Sequence, residues 1–92
     1  MAVVQVSSAS SREAYDAVDR ILNLSGDRPA GMVVHAAAEQ ADGTVLIVDV
    51  WESDAAMDAF EAGRLFPAFA SLPVGPMPGA PTRHQAFHLV RA

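Results

Sequence analysis

The sequence predicts an α+β domain in which four antiparallel strands and two helices follow one another as β-α-β-β-α-β. Three observations carry this. Runs with strand character open and close the chain, two more meet across a short polar turn in the middle, and two stretches of helical periodicity lie between.

Val3, Val4 and Val6 form a β-branched run without Gly or Pro, which predicts the first strand over residues 2–7. Ser10 followed by Glu13 has the spacing of a capping box, and Ala14, Val18, Ile21 and Leu22 then recur at helical intervals. Helix one is expected to end near Leu24, where Ser25, Gly26, Asp27 and Pro29 favour a turn. Gly31–Glu39 is the second strand, although its three consecutive alanines alone prefer helix. Its assignment rests on its C-terminal neighbours, a turn at residues 40–43 and then the most strand-like run of the chain, Thr44–Glu52. Ser53 is a good N-cap and Asp54 suits the first turn of helix two. Its apolar stripe is Ala56, Met57, Phe60 and Gly63 or Arg64, continued by Leu65, Phe66 and Phe69, with Pro67 expected to kink or end it. Leu72–Pro81, with four prolines and two glycines, reads as an extended loop, and Thr82–Val90 as the last strand.

The third strand carries more information than its own secondary structure. Leu46, Val48 and Val50 point to one face, and Val45, Ile47, Asp49 and Trp51 to the other, so both faces are largely apolar. A sheet wetted on one side alternates apolar with polar residues, whereas continuous apolar strands imply cover on both sides. Two helices cover one face, which leaves the other for a second copy of the chain. The element order is that of the ferredoxin-like fold.

Composition excludes several function classes. The 92 residues form one domain spanning 1–92, near the lower limit for a self-sufficient core. No apolar run approaches the roughly 18 residues of a membrane span. The chain has no cysteine, which rules out disulfide scaffolds and thiolate chemistry. Its N-terminus has no signal-peptide pattern, so a cytoplasmic location is expected. The net charge is −5, with no lysine and six scattered arginines, so no basic patch exists for nucleic acid. The glycines do not form a phosphate-binding motif. His84 and His88 are four apart on a predicted strand, too far along it for a shared metal ion, and Ser53 reads as a cap rather than a nucleophile.

Asp49 stands out because a carboxylate amid branched aliphatics needs a partner. A three-residue turn places His35 opposite it on the same face, while turns of two or four residues shift the register. Such a pair fixes the imidazole tautomer and raises its basicity. The competing reading is a structural hydrogen-bonded pair or an edge position in water. Trp51 is either a core anchor between strand and helix or the wall of a pocket.

The strand ending in DVWES, the helix carrying Phe60 and RLFP, and the preceding hairpin with Gly31 and His35 together resemble the antibiotic biosynthesis monooxygenase-like family, in the dimeric α+β barrel superfamily. The resemblance implies a homodimer whose two sheets face each other, an interface of roughly 2,000 Å² or more, and a ligand cavity beside Trp51 walled by Phe60 and Phe66. Together with the His35–Asp49 pair it makes His35, Asp49 and Trp51 the candidate catalytic residues, and it implies His88 as a further ligand contact and an apolar or aromatic substrate oxidised without cofactor or metal. The family often carries an asparagine four residues before the tryptophan, and this chain has Ile47 there. Haem-degrading relatives use a histidine on helix two, which this helix does not contain. The competing reading is a ligand-binding or dimerisation module without enzymatic activity.

Overall fold

The computed structural model describes residues 1–73 and 79–92. Its elements are β1 (Val3–Ala9), α1 (Arg12–Leu22), β2 (Met32–Glu39), β3 (Val45–Trp51), α2 (Asp54–Phe60), a π-helical turn (Glu61–Leu65), α3 (Phe66–Ala70) and β4 (Thr82–Gln85). All neighbouring strands are antiparallel, in the order β2-β3-β1-β4, the ferredoxin-like arrangement. Of the loop expected over 72–81, residues 74–78 lie outside the described residues.

β1 runs two residues further than its apolar pattern suggested. Ser7, Ser8 and Ala9 pair with Ile47, Leu46 and Val45, because the long β3 offers ladder partners that outweigh the weak strand propensity of serine. The cap of α1 is therefore Ser11 and not Ser10, its hydroxyl accepting from the Ala14 N–H at 3.0 Å. Asn23, in left-handed geometry, caps the helix after Leu22, two residues before its expected end. The alanines of β2 are strand because each faces an aliphatic of β3, as in Ala36 opposite Val48 and Ala37 opposite Ile47.

Pro67 does not end the second helical segment. The turn before it widens, the Phe66 N–H donating to the Glu61 carbonyl five residues back, and Pro67 then falls in the first turn of α3, where its missing N–H costs little. β4 stops at Gln85 rather than Val90. It runs antiparallel to β1 with Gln85 opposite Val3, so after the bond from the Ala86 N–H to the Ala2 carbonyl (2.9 Å) it has passed the end of its partner strand. Phe87 beyond it is fully exposed.

Both helical segments lie on one face of the sheet. There Met32 and Trp51 from the strands pack with Leu22, Met57, Phe60 and Ala68 from the helices. The opposite face carries Val4, Val6, Leu46, Val48, Val50 and Val34, and none of the described residues covers it. Val34 is 49% and Leu46 37% exposed.

Candidate functional site

The β2–β3 hairpin sets the geometry of the site. Gln40 and Thr44 are bonded across a loop of three residues, in which Gly43 adopts φ +87° and the Asp42 carboxylate accepts from both the backbone N–H and the hydroxyl of Thr44. A loop of that length puts His35 directly opposite Asp49. Their side chains meet on the helix-covered face, His35 Nδ1 lying 2.5 Å from Asp49 Oδ1. The carboxylate can only accept, so the proton sits on Nδ1.

The other imidazole nitrogen is also engaged. Tyr15 Oη of α1 lies 2.7 Å from His35 Nε2, with the two rings nearly parallel at 15° and their centroids 6.1 Å apart. Three residues from α1, β2 and β3 thus form one hydrogen-bonded chain. Tyr15 was missed by sequence reasoning although a signal existed: Tyr15, Val18 and Leu22 share the inward stripe of α1, whereas Ile21, assigned to that stripe, is half exposed.

The chain of three borders a cavity of about 140 Å³ between the sheet and the helices. Val18, Leu22, Met32, Ile47, Met57 and Phe69 supply apolar wall. Phe60 and Phe66 line it as well. Trp51 does not. It is fully buried in the core, and Phe60, whose ring centroid is 5.1 Å from that of the indole, is the aromatic that reaches the cavity. The Trp51 indole N–H has no hydrogen-bond partner among the described residues. His88 lies in the exposed segment past β4, away from the cavity, because that strand ends before reaching it.

The electrostatics are one-sided. Asp19, Asp49 and Glu61 are the acidic groups on the lining, and no arginine lines it among the described residues. Glu61 is neutralised from behind, Arg83 of β4 donating to it at 3.0 Å while also holding Asp54 and Asp58. The hydrogen bond to Asp49 raises the His35 pKa above its ordinary value, against a smaller opposing effect of burial. Burial raises the Tyr15 pKa, assisted by the charges of Asp19, Asp49 and Asp16, so the phenol keeps its proton at neutral pH. Among the described residues no three His, Asp or Glu side chains gather as a metal site, and no helix is long and apolar enough to cross a membrane.

No protein-family model and no curated protein matches the chain. Solved structures do. A variant of SnoaB, a cofactor-independent oxygenase from Streptomyces nogalater, superposes with a TM-score of 0.71 over 97% of this chain and 96% of its own at 16% identity. A candidate antibiotic biosynthesis monooxygenase from Deinococcus radiodurans gives 0.67 over 100% and 98% at 18% identity. This is the antibiotic biosynthesis monooxygenase-like fold. A variant of MhuD with two manganese protoporphyrins per active site shares the same monooxygenase-like fold at a TM-score of 0.61, covering 100% of both chains at 17% identity. Within that fold Ile47, at the position where the resemblance places an asparagine, makes one wall of the cavity apolar.

Proposed function

We propose that this chain is a single-domain cytoplasmic homodimer that binds a small, uncharged aromatic molecule between its sheet and its helices. The cavity itself supports the reading: apolar walls, one hydrogen-bonded polar chain on its border, and no cationic side chain among the described residues to welcome an anion. A dry cavity of about 150 Å³ accepts benzene, so the space of about 140 Å³ here suits one aromatic ring. The sheet's uncovered face supports the homodimer, since apolar patches of that kind mark interfaces between chains.

The catalytic version of this reading is a cofactor-independent oxygenase, as SnoaB is, with His35 supplying the base and Asp49 holding its tautomer. A non-catalytic binding module is the second reading, favoured by Trp51 being walled off behind Phe60 and by the apolar residue at position 47. Oxygen uptake with hydroquinones, naphthols and anthrones, together with native mass spectrometry of the same mixtures, separates the two. Uptake that disappears in His35→Ala while the dimer persists establishes the oxygenase. Saturable binding without uptake establishes the module. Absence of binding across the panel rejects both.

A further inference from the structure

Every ring nitrogen of His35 is occupied, one by Asp49 and the other by Tyr15. A ligand in the cavity therefore finds no free imidazole nitrogen to donate to. Of the atoms bonded to the His35 ring, Tyr15 Oη still has bonding capacity toward the cavity, as a group that can donate one hydrogen bond and accept others. Resting on the cavity being a ligand site, we propose that Tyr15 is the residue that contacts the ligand and that it relays a proton from the hydroxyl of a neutral hydroxyarene to His35, so that the ligand is held as its anion.

The proton balance is set by the geometry. In the neutral chain His35 Nδ1–H donates to Asp49, and Nε2 accepts from the Tyr15 hydroxyl. The Tyr15 oxygen then offers only lone pairs to the cavity, and a ligand hydroxyl donates to them. In the relay the ligand's O–H bond breaks as a new O–H bond forms on Tyr15, and the original Tyr15 O–H bond breaks as an N–H bond forms on His35 Nε2. No electrons change hands. The result is a ligand oxyanion accepting from the Tyr15 hydroxyl, and an imidazolium paired with the Asp49 carboxylate.

The surroundings explain why the proton must stay close. Asp16 and Asp19 face Tyr15 from α1, with Arg12 as the opposing charge, Asp49 faces His35 from β3, and Glu61 lines the cavity from the π-helical turn against Arg83. An anion arriving from solvent meets this acidic wall with no cation on the described lining to pair with. A neutral hydroxyarene brings its own proton, and transferring that proton to His35 leaves the charge of the site plus ligand unchanged. The raised His35 pKa agrees with a proton acceptor of this kind. The ligand class is set accordingly: neutral phenols and hydroquinones enter, and carboxylates of the same size do not. The alternative path is direct donation from a ligand hydroxyl to Asp49 Oδ2, which has no hydrogen bond of its own to the described residues. Removing the Tyr15 hydroxyl distinguishes the two paths.

4-Nitrophenol, whose absorbance reports its ionisation, is titrated with the full-length protein and with Tyr15→Phe from about pH 5 to about pH 9. 4-Nitroanisole serves as a probe of the same shape without the proton. The wild-type protein is expected to shift the bound phenol toward its anion by tenfold or more in ionisation constant, about one pH unit, and Tyr15→Phe to lose that shift while still binding 4-nitroanisole saturably. A shift that survives in Tyr15→Phe shows direct donation to Asp49 or His35 and overturns the relay. Failure of the wild-type protein to bind either probe overturns the cavity as a ligand site, and the relay with it. Nitrogen NMR of His35 gives a readout free of ligand: Tyr15→Phe is expected to move the Nε2 resonance and its titration, and an unchanged Nε2 signal shows that the Tyr15 hydrogen bond does not form.

Discussion

Gly31→Ala is the substitution whose cost the structure specifies most closely. Gly31 has φ +82°, a left-handed conformation that costs an L-residue about 1–2 kcal/mol. A Cβ built there lies 2.5 Å from the Ala56 Cβ, so strand and helix must move apart. Neither yields easily. The Gly31 carbonyl accepts from the Glu52 N–H at 2.8 Å, and Ser53 caps the turn that holds Ala56, accepting from its N–H at 3.1 Å. Overpacking of this sort costs about 1–3 kcal/mol, for a total of about 2–5 kcal/mol, a large share of the stability of a small domain. Ala56→Gly removes the opposing methyl at a helix-propensity cost of about 1 kcal/mol and leaves the strain in φ untouched. The double variant is therefore expected to be more stable than the sum of the single effects by about 1–3 kcal/mol. Urea unfolding of the four proteins at one fixed concentration measures this, concentration being held constant because a dimer's stability depends on it. Additivity within about 0.5 kcal/mol would refute the close approach of β2 and α2. The stakes reach the core beside the site, because Gly31 precedes a bulge between Met32 and Val34 that sets Met32 opposite Trp51.

Charge and assembly give two more expectations. Because the folded state raises the His35 pKa, it binds more protons than the unfolded chain, so this contribution is complete below the ordinary histidine value of about 6.5 and is lost as pH rises through the folded value. Urea midpoints should fall across that window, and Asp49→Asn should flatten the fall; an identical slope in the variant would show that Asp49 is not the cause. On the uncovered face, Val48→Asp places an unpaired carboxylate in the proposed interface once per copy, at about 3 kcal/mol or more each. With both copies counted, the dimer should weaken by about four orders of magnitude, read as a monomer mass by light scattering; a dimer mass retained at micromolar concentration would reject that face as the interface.

Much of the site could be read before folding was considered. The aliphatic run around Asp49 marked a carboxylate in need of a partner, and the turn containing Asp42 and Gly43, if three residues long, named His35 as that partner; both inferences need only the period of a strand and the chemistry of a short turn. Tyr15 was legible as one position of an amphipathic stripe but not as a hydrogen-bond partner of His35, twenty residues away, because their meeting depends on where the crossover lays α1 on the sheet. Trp51 shows the opposite failure. Its place at the end of β3 was correct, yet whether it lines a cavity or fills a core depends on which ring packs against it, and Phe60 stands between.

By itself the sequence determined the order of elements, the two apolar faces of β3 and the need of its central acid for a partner, which a three-residue turn would make His35, because these follow from side-chain periodicity and from turns of a few residues. Tertiary structure decided the rest. The ladder carried β1 past its apolar residues and moved the cap to Ser11, the end of β1 halted β4 before His88, and a widened turn let the helix continue through Pro67. The same packing placed the cavity against Tyr15, His35 and Asp49 instead of Trp51. Each of these outcomes was settled by a partner distant in the chain, whose position no local pattern encodes.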